Sequence, residues 1–222
     1  VTAALDAGIE FEAVFVEDGS VSKFRDVLAR AESLGHRVFV IDDGLAEKIA
    51  DAATPQPILA AVRFREHRLP DITFEGTVLV LHSLRDPGNV GTMIRSAAAF
   101  GATAVILSGH SVDPYNPKTL RATAGAIFQL PVVLAPEFGD VVSSARSRGS
   151  RVVATVVRGG EQPTTSSLAG PVTIVIGSEA EGLSDEEVAH AESRITLTMT
   201  GPTESLNAGV AAGILMYLAQ GS

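Results

Sequence analysis

The stretch from Val78 to Ala97, VLVLHSLRDPGNVGTMIRSA, decides how this chain is read. Thr77 to Leu81 is an apolar run with no polar alternation, the pattern of a strand buried on both faces. The turn DPGN follows, and from Gly91 to Phe100 the residues are helical in pattern, with Ser96, Ala97, Ala98 and Ala99 keeping one side small. A strand, a glycine-bearing turn and a helix form half of a parallel α/β unit, and such units bind ligands at the carboxyl ends of their strands. The arrangement recurs in VTIVIGSEAEGLS (Val172–Ser184) and ITLTMTGPTESLNAGVAAG (Ile195–Gly213). Three such turns in one half of the chain point to a site assembled from several loops.

An ordinary dinucleotide fold does not account for them. Its fingerprint needs G-x-G-x-x-G and an acidic residue ending the next strand. Here the first turn offers only Gly88 and Gly91, and the next strand ends in Ser108-Gly109. The G-x-x-x-x-G-K-[ST] phosphate loop is absent as well.

Working outward, Ala104–Leu107, Val132–Val133, Arg151–Val156, Val172–Ile176 and Ile195–Leu197 read as strands. Pro117–Ala124, Phe138–Arg148, Asp185–Ala191 and Leu206–Ala219 read as helices. Alternation of this kind predicts a parallel sheet covered on both faces. The first third is a smaller α/β unit, with strands at Phe11–Val16, Val38–Ile41 and Ile58–Val62 and helices at Ser22–Ser33 and Leu45–Asp51. The segment Thr54-Pro55-Gln56-Pro57 must be extended. Val1 stands in a helix already under way, which suggests an upstream segment. The charged stretch up to Pro70 and Asp71 reads as a linker, giving domains of 1–68 and 73–222.

Composition sets the outer bounds. The 222 residues carry a formal charge of −9 and no cysteine. Disulfides and thiolate metal sites are excluded, no His/Asp cluster has metal spacing, and a reducing, cytoplasmic setting is expected. No apolar run is long enough to span a bilayer and no secretory signal stands out. Net acidity opposes nucleic-acid binding, yet the basic residues cluster. Arg63, Arg65 and Arg68 lie in one short stretch, and Lys118 and Arg121 lie three apart in a helical pattern. These five are the candidate RNA contacts, although RFREHR also reads as a solvated linker.

From Gly76 onward the chain resembles the SpoU (TrmH) family of RNA ribose 2′-O-methyltransferases, in the SPOUT class. The resemblance rests on three motifs in order: Asn89 to Gly101 with Arg95 inside it, Gly177-Ser178-Glu179 with Gly182-Leu183-Ser184, and Ser205-Leu206-Asn207 before a small-residue helix. Residues 1 to about 64 are similar to the small substrate-binding domain, related to ribosomal proteins, that precedes many such enzymes. Thr198, where the family often has Pro, and Ala180, where Gly is frequent, depart from the pattern without removing a proposed catalytic group. The resemblance implies an α/β fold whose final segment threads a deep trefoil knot, S-adenosylmethionine as methyl donor, and a homodimer.

It also assigns roles. The catalytic set is Arg95, Asn89, Glu179, Ser205 and Asn207. The donor contacts are Gly177, Leu197, Leu206 and Asn207, with Thr155 a weaker candidate. Arg95 is the central candidate, a fork for the target phosphate beside the ribose hydroxyl. Glu179 is expected to fix Arg95 or donor-side groups, and Asn89 to orient Arg95 or the ribose. Taken alone, Asn89, Ser205 and Asn207 are also good turn and helix-cap residues. His82 and His110 have no partner pattern and are read as structural. The implied activity is methylation of a ribose in structured RNA, ribosomal more than transfer RNA. A non-catalytic RNA binder of the same fold and a different nucleotide-dependent enzyme with a Rossmann-like sheet are the alternatives.

Overall fold

In the computed structural model, residues 1–50, 55–135, 137–203 and 205–220 are described. Asp51 and Thr54, the end of one expected helix and the start of the expected extended segment, lie outside them. The chain forms two compact units, Val1–Glu66 and His67–Ser222.

The first unit is a three-stranded sheet in the order β2-β1-β3, built from β1 (Phe11–Glu17), β2 (Val38–Ile41) and β3 (Ile58–Val62). Strands β1 and β2 run parallel, joined through helix α2 (Arg25–Ser33), whereas β3 returns antiparallel. Val14 and Val16 of β1 are fully buried, with Leu28 and Ala31 of α2 among the other core residues. The short helices α1 (Thr2–Asp6) and α3 (Leu45–Ile49) complete the unit. Arg63 is held by Glu12 and Glu10, and the Glu12 hydrogen bond, ahead of the two carboxylate charges, raises its already high pKa.

The second unit begins where the charged stretch was expected to act as a linker. His67 already pairs with Val133, and Arg148 donates to the carbonyl of Pro70 at 3.1 Å. Its sheet has six parallel strands in the order β6-β5-β4-β8-β7-β9: β4 (Thr77–His82), β5 (Ala104–Ser108), β6 (Val132–Ala135), β7 (Arg151–Thr155), β8 (Val172–Ile176) and β9 (Ser193–Ile195). Alternate residues of β4 serve opposite faces. Leu79 and Leu81 join the core of helices α4 (Pro87–Ala99) and α8 (Ala208–Ala219), while Val78 and Val80 join that of α6 (Phe138–Ser147). Burial on both sides is why this strand reads as an unbroken apolar run.

Two glycines set helix spacing. A Cβ on Gly91 would lie 2.4 Å from that of Ala122 in α5 (Pro117–Thr123), so α4 and α5 meet only because position 91 is bare. A Cβ on Gly209 would likewise lie 3.2 Å from the Thr92 side chain on α4, so α8 packs close there.

The sheet changes direction at β4. The chain runs outward through β5 and β6, then crosses to the other side of β4 to lay down β7, β8 and β9. That reversal opens a crevice at the carboxyl ends of β4 and β8, the usual ligand position in an open α/β sheet.

Strand β9 is clasped. Ile195 pairs with Thr155 on one side and with Glu161 on the other. The connecting residues close over Thr196, whose hydroxyl donates to the carbonyl of Val156 and accepts from the N–H of Gly160. The sequence placed this strand at Ile195–Leu197, two residues late. The apolar pattern ITLTM marks the clasped segment rather than the paired one.

Candidate active site

A cavity of about 790 Å³ opens at the carboxyl ends of β4, β7 and β8. Its wall includes Asn89, Thr155, Gly177, Ser178, Glu179, Leu197, Ser205, Leu206 and Asn207, together with Ile176, Leu183, Ala211 and Leu215. All three glycine turns therefore contribute to one space, and every residue expected to contact the donor lies on its wall.

The polar end is a directed relay. Asp86, not Asn89, caps α4: its carboxylate accepts the N–H of Asn89 at 2.7 Å, with Pro87 at the first helical position. The Asn89 side chain is thereby left for other work. Its Nδ2 donates to Glu179 Oε1 at 3.1 Å, and its Oδ1 accepts from Asn207 Nδ2 at 2.9 Å. Asn207 caps α8 with its own oxygen, which accepts the N–H groups of Gly209 and Val210. A carboxylate accepts only and helix-terminal N–H groups donate only, so both amides are locked in one orientation. Asn207 is a cap and a site residue at once.

The turn after β8 needs its glycines. Ser178 and Gly182 pair through reciprocal backbone bonds of 3.2 and 2.9 Å. A Cβ on Gly177 would stand 2.4 Å from the Gly182 carbonyl carbon. Gly182 has φ +70°, where other residues are strained.

A second carboxylate holds the same segment from behind. Glu187 lies in helix α7 (Asp185–Ala189), where one oxygen accepts the Ser184 N–H at 2.7 Å and completes a capping box. The other oxygen meets His82 Nε2 at 2.7 Å, and His82 Nδ1 meets the Ser108 hydroxyl at 2.9 Å. Burial pushes the Glu187 carboxyl up. The Ser184 backbone bond, the His82 charge and the side-chain bonds outweigh it and hold the group below its ordinary value. His82 packs on Phe138 at 4.9 Å and is not part of the cavity wall. This pair spans over a hundred positions of sequence, and no motif announces it.

Arg95 is not brought to the cavity. It is exposed on α4, and among the described residues it makes no bond to Glu179. Six helical residues beyond Asn89 amount to about 240° of net rotation, which turns it to another face. Of the two roles expected for Glu179, fixing Arg95 or donor-side groups, the structure does not show the first, and Glu179 accepts from Asn89 instead. Lys118 and Arg121 are exposed on α5, while Thr119 and Thr123 on its inner side are buried. Arg65 and Arg68 are exposed near the junction of the units. Among the described residues, no cluster of three or more His, Cys, Asp or Glu is placed to hold a metal ion, and no helix is long and apolar enough to cross a membrane.

Residues 76–217 match the SpoU rRNA Methylase family and residues 1–68 match the RNA 2′-O ribose methyltransferase substrate-binding domain. The chain belongs to the SpoU rRNA methylase family. It is 31% identical over 84% of its length to the 23S rRNA (guanosine(2553)-2′-O)-methyltransferase RlmP of Bacillus subtilis, 74% of which is covered. An AdoMet-bound rRNA methyltransferase from Sinorhizobium meliloti superposes with a TM-score of 0.84 at 30% identity, over 98% of this chain and 82% of that one. The SpoU methyltransferase AviRb from Streptomyces viridochromogenes, in complex with AdoMet, gives 0.84 at 27% identity over 98% and 85%.

Proposed function

We propose that the cavity holds S-adenosylmethionine and that the chain methylates a ribose 2′-hydroxyl of ribosomal RNA. The observation that carries this reading is the convergence of Asn89, Glu179 and Asn207, from three separate turns, on one hydrogen-bonded relay at a cavity edge. The cavity residues suit the donor. Ile176, Leu183, Leu197 and Ala211 offer an apolar wall for a nucleobase, and the bare Gly177 allows close backbone approach. Glu179 and Glu181 place negative charge beside a cationic ligand.

When bound, S-adenosylmethionine supplies an electrophilic methyl group. The chain's own part is positioning and electrostatics. Asn89 Oδ1 spends one lone pair on Asn207, and the second is available to orient a ribose hydroxyl. Glu179 fixes the amide that does so. Arg95, exposed beyond the cavity edge, is the fork for the phosphate of the target nucleotide, and Lys118 and Arg121 extend that basic surface. The small first unit grips structured RNA through shape, with Arg63, Arg65 and Arg68 near its end. Ribosomal RNA is favoured because relatives matched across both units are rRNA enzymes.

The working form is a homodimer. Val210, Ile214 and Tyr217 lie along one stripe of α8 and are 51%, 37% and 59% exposed, a face suited to a second copy. Light scattering of V210D/I214D is expected to give monomers where the wild type gives dimers. The clasp around Thr196 supports a trefoil knot, the segment after Ile195 passing through the loop closed by residues 156–161.

The deciding experiment maps ribose methylation by mass spectrometry in ribosomal and transfer RNA from cells with and without the protein. A single rRNA ribose losing its methyl group, and regaining it with wild type but not R95A, is expected. An unchanged ribosomal map, or full rescue by R95A, contradicts the assignment.

A further inference from the structure

One charged group on the cavity wall is used neither by the three motifs nor by the relay. Arg158 projects from the turn between β7 and residue 161. The turn is fixed on both sides. Val156 N–H donates to the Ile195 carbonyl at 2.9 Å, and Gly160 N–H donates to Thr196 Oγ1 at 2.9 Å. Gly160 has no room for a side chain, since a Cβ there would lie 2.6 Å from the Ile195 carbonyl carbon. Val157 and Arg158 form the exposed tip between these anchors. The guanidinium is thus offered to the cavity from a rigid backbone, which lowers the ordering cost of any contact it makes.

The charges around it are unequal. Among the described residues lining the cavity, Glu179 and Glu181 are the anions and Arg158 is the sole cation. Glu179 is engaged by Asn89. Arg158 itself makes no ion pair or hydrogen bond with any described residue. A guanidinium at a cavity edge, without a carboxylate partner among the described residues, is matched by a ligand that brings its own.

Its place in the sheet separates it from the reacting end. Asn89 follows β4 and Arg158 follows β7, with β8 between them. Two strand spacings put roughly 10 Å between the two turns. A ribose held near Asn89 is therefore on the opposite side of the cavity from Arg158. We propose that Arg158 binds the α-carboxylate of the donor's amino-acid arm and makes the cavity selective for adenosyl ligands that carry it. This rests on the reading of the cavity as a donor site and adds a residue and a selectivity to it.

The test needs no RNA. Calorimetry compares S-adenosylhomocysteine with S-adenosyl-3-thiopropylamine, which lacks only the carboxylate, on wild type, R158A and R158E. Arg158 is exposed, so both variants are expected to fold, and their melting temperatures check this. R158A should weaken S-adenosylhomocysteine about tenfold and change the amine by less than about twofold. R158E should weaken the acid further and tighten the amine, because the new carboxylate repels one ligand and attracts the other. Equal losses for both ligands, or unchanged affinities for both, overturn the assignment and leave the donor site intact. If the wild type binds neither compound, both the assignment and the reading of the cavity fall.

Discussion

Glu179 and Glu187 sit eight positions apart on one segment, and both are pinned to the first turn region of the sheet, yet they do different work. Glu179 is exposed at the cavity and accepts from a neutral amide, Asn89. Glu187 is turned inward, with a side chain 25% exposed, and is tied to His82 and its own helix cap. The first contact can be traded for a ligand contact, whereas the second holds the turn wherever the ligand is. A carboxylate beside a glycine turn is therefore not diagnostic by itself. Its partner, and whether that partner faces the cavity, decides.

The contrast can be broken most severely at the turn itself. G177A places a methyl group against the Gly182 carbonyl, so the turn must open. S-adenosylhomocysteine affinity is expected to fall by roughly a hundredfold or more, read by calorimetry. Retained affinity would mean that the turn does not shape the binding space. N89A comes next. It breaks the relay at its centre while Asp86 keeps capping α4, so methyl transfer should drop by about a hundredfold with the melting temperature little changed. A large loss of stability with proportionate loss of rate would place Asn89 in the scaffold instead.

The inward contact predicts the reverse profile. H82A leaves the Ser108 hydroxyl and one Glu187 oxygen without their partner. About 2 kcal/mol of stability should be lost in denaturant titration, with a smaller effect on the turnover of the folded fraction. The pH dependence sharpens this. Glu187 titrates lower in the folded chain than unfolded, so its contribution is fully present above the ordinary carboxylate value and is lost as pH falls through the folded one. E187Q should therefore flatten the stability profile in the acid range below about pH 4.5 and leave its shape at neutral pH unchanged. The smallest effect is outside the cavity. K118A and R121A should each weaken RNA binding a few-fold, reduce the salt slope by about one, and leave donor affinity untouched.

Much of this was legible in the sequence, for identifiable reasons. The central strands are buried on both faces, so Val78–Leu81 and Val172–Ile176 read as unbroken apolar runs. The second turn carries glycines that the backbone requires, Gly177 and Gly182, while Gly91 and Gly209 serve helix packing. Asn207 looked like a helix cap and is one, and only the partner 118 positions away shows its second task. Other features escape because they depend on tertiary pairing. Nothing local tells that Asp86 takes the capping duty from Asn89, or that His82 belongs to Glu187. Helical rotation separates Arg95 from the relay although the motif lists them together. The antiparallel return of β3 is likewise set by the sheet it joins and not by its own five residues.

The clasp around Thr196 has a consequence for the order in which this molecule becomes competent. The walls built from β4, β7 and the turn after β8 lie before residue 184 in the chain, whereas the far wall, which includes Leu197, Leu206, Asn207 and Leu215, is synthesised after them and follows a segment bonded back to residues 156–161. A nascent chain stalled before that point exposes half a cavity and lacks the Asn207 that completes the relay.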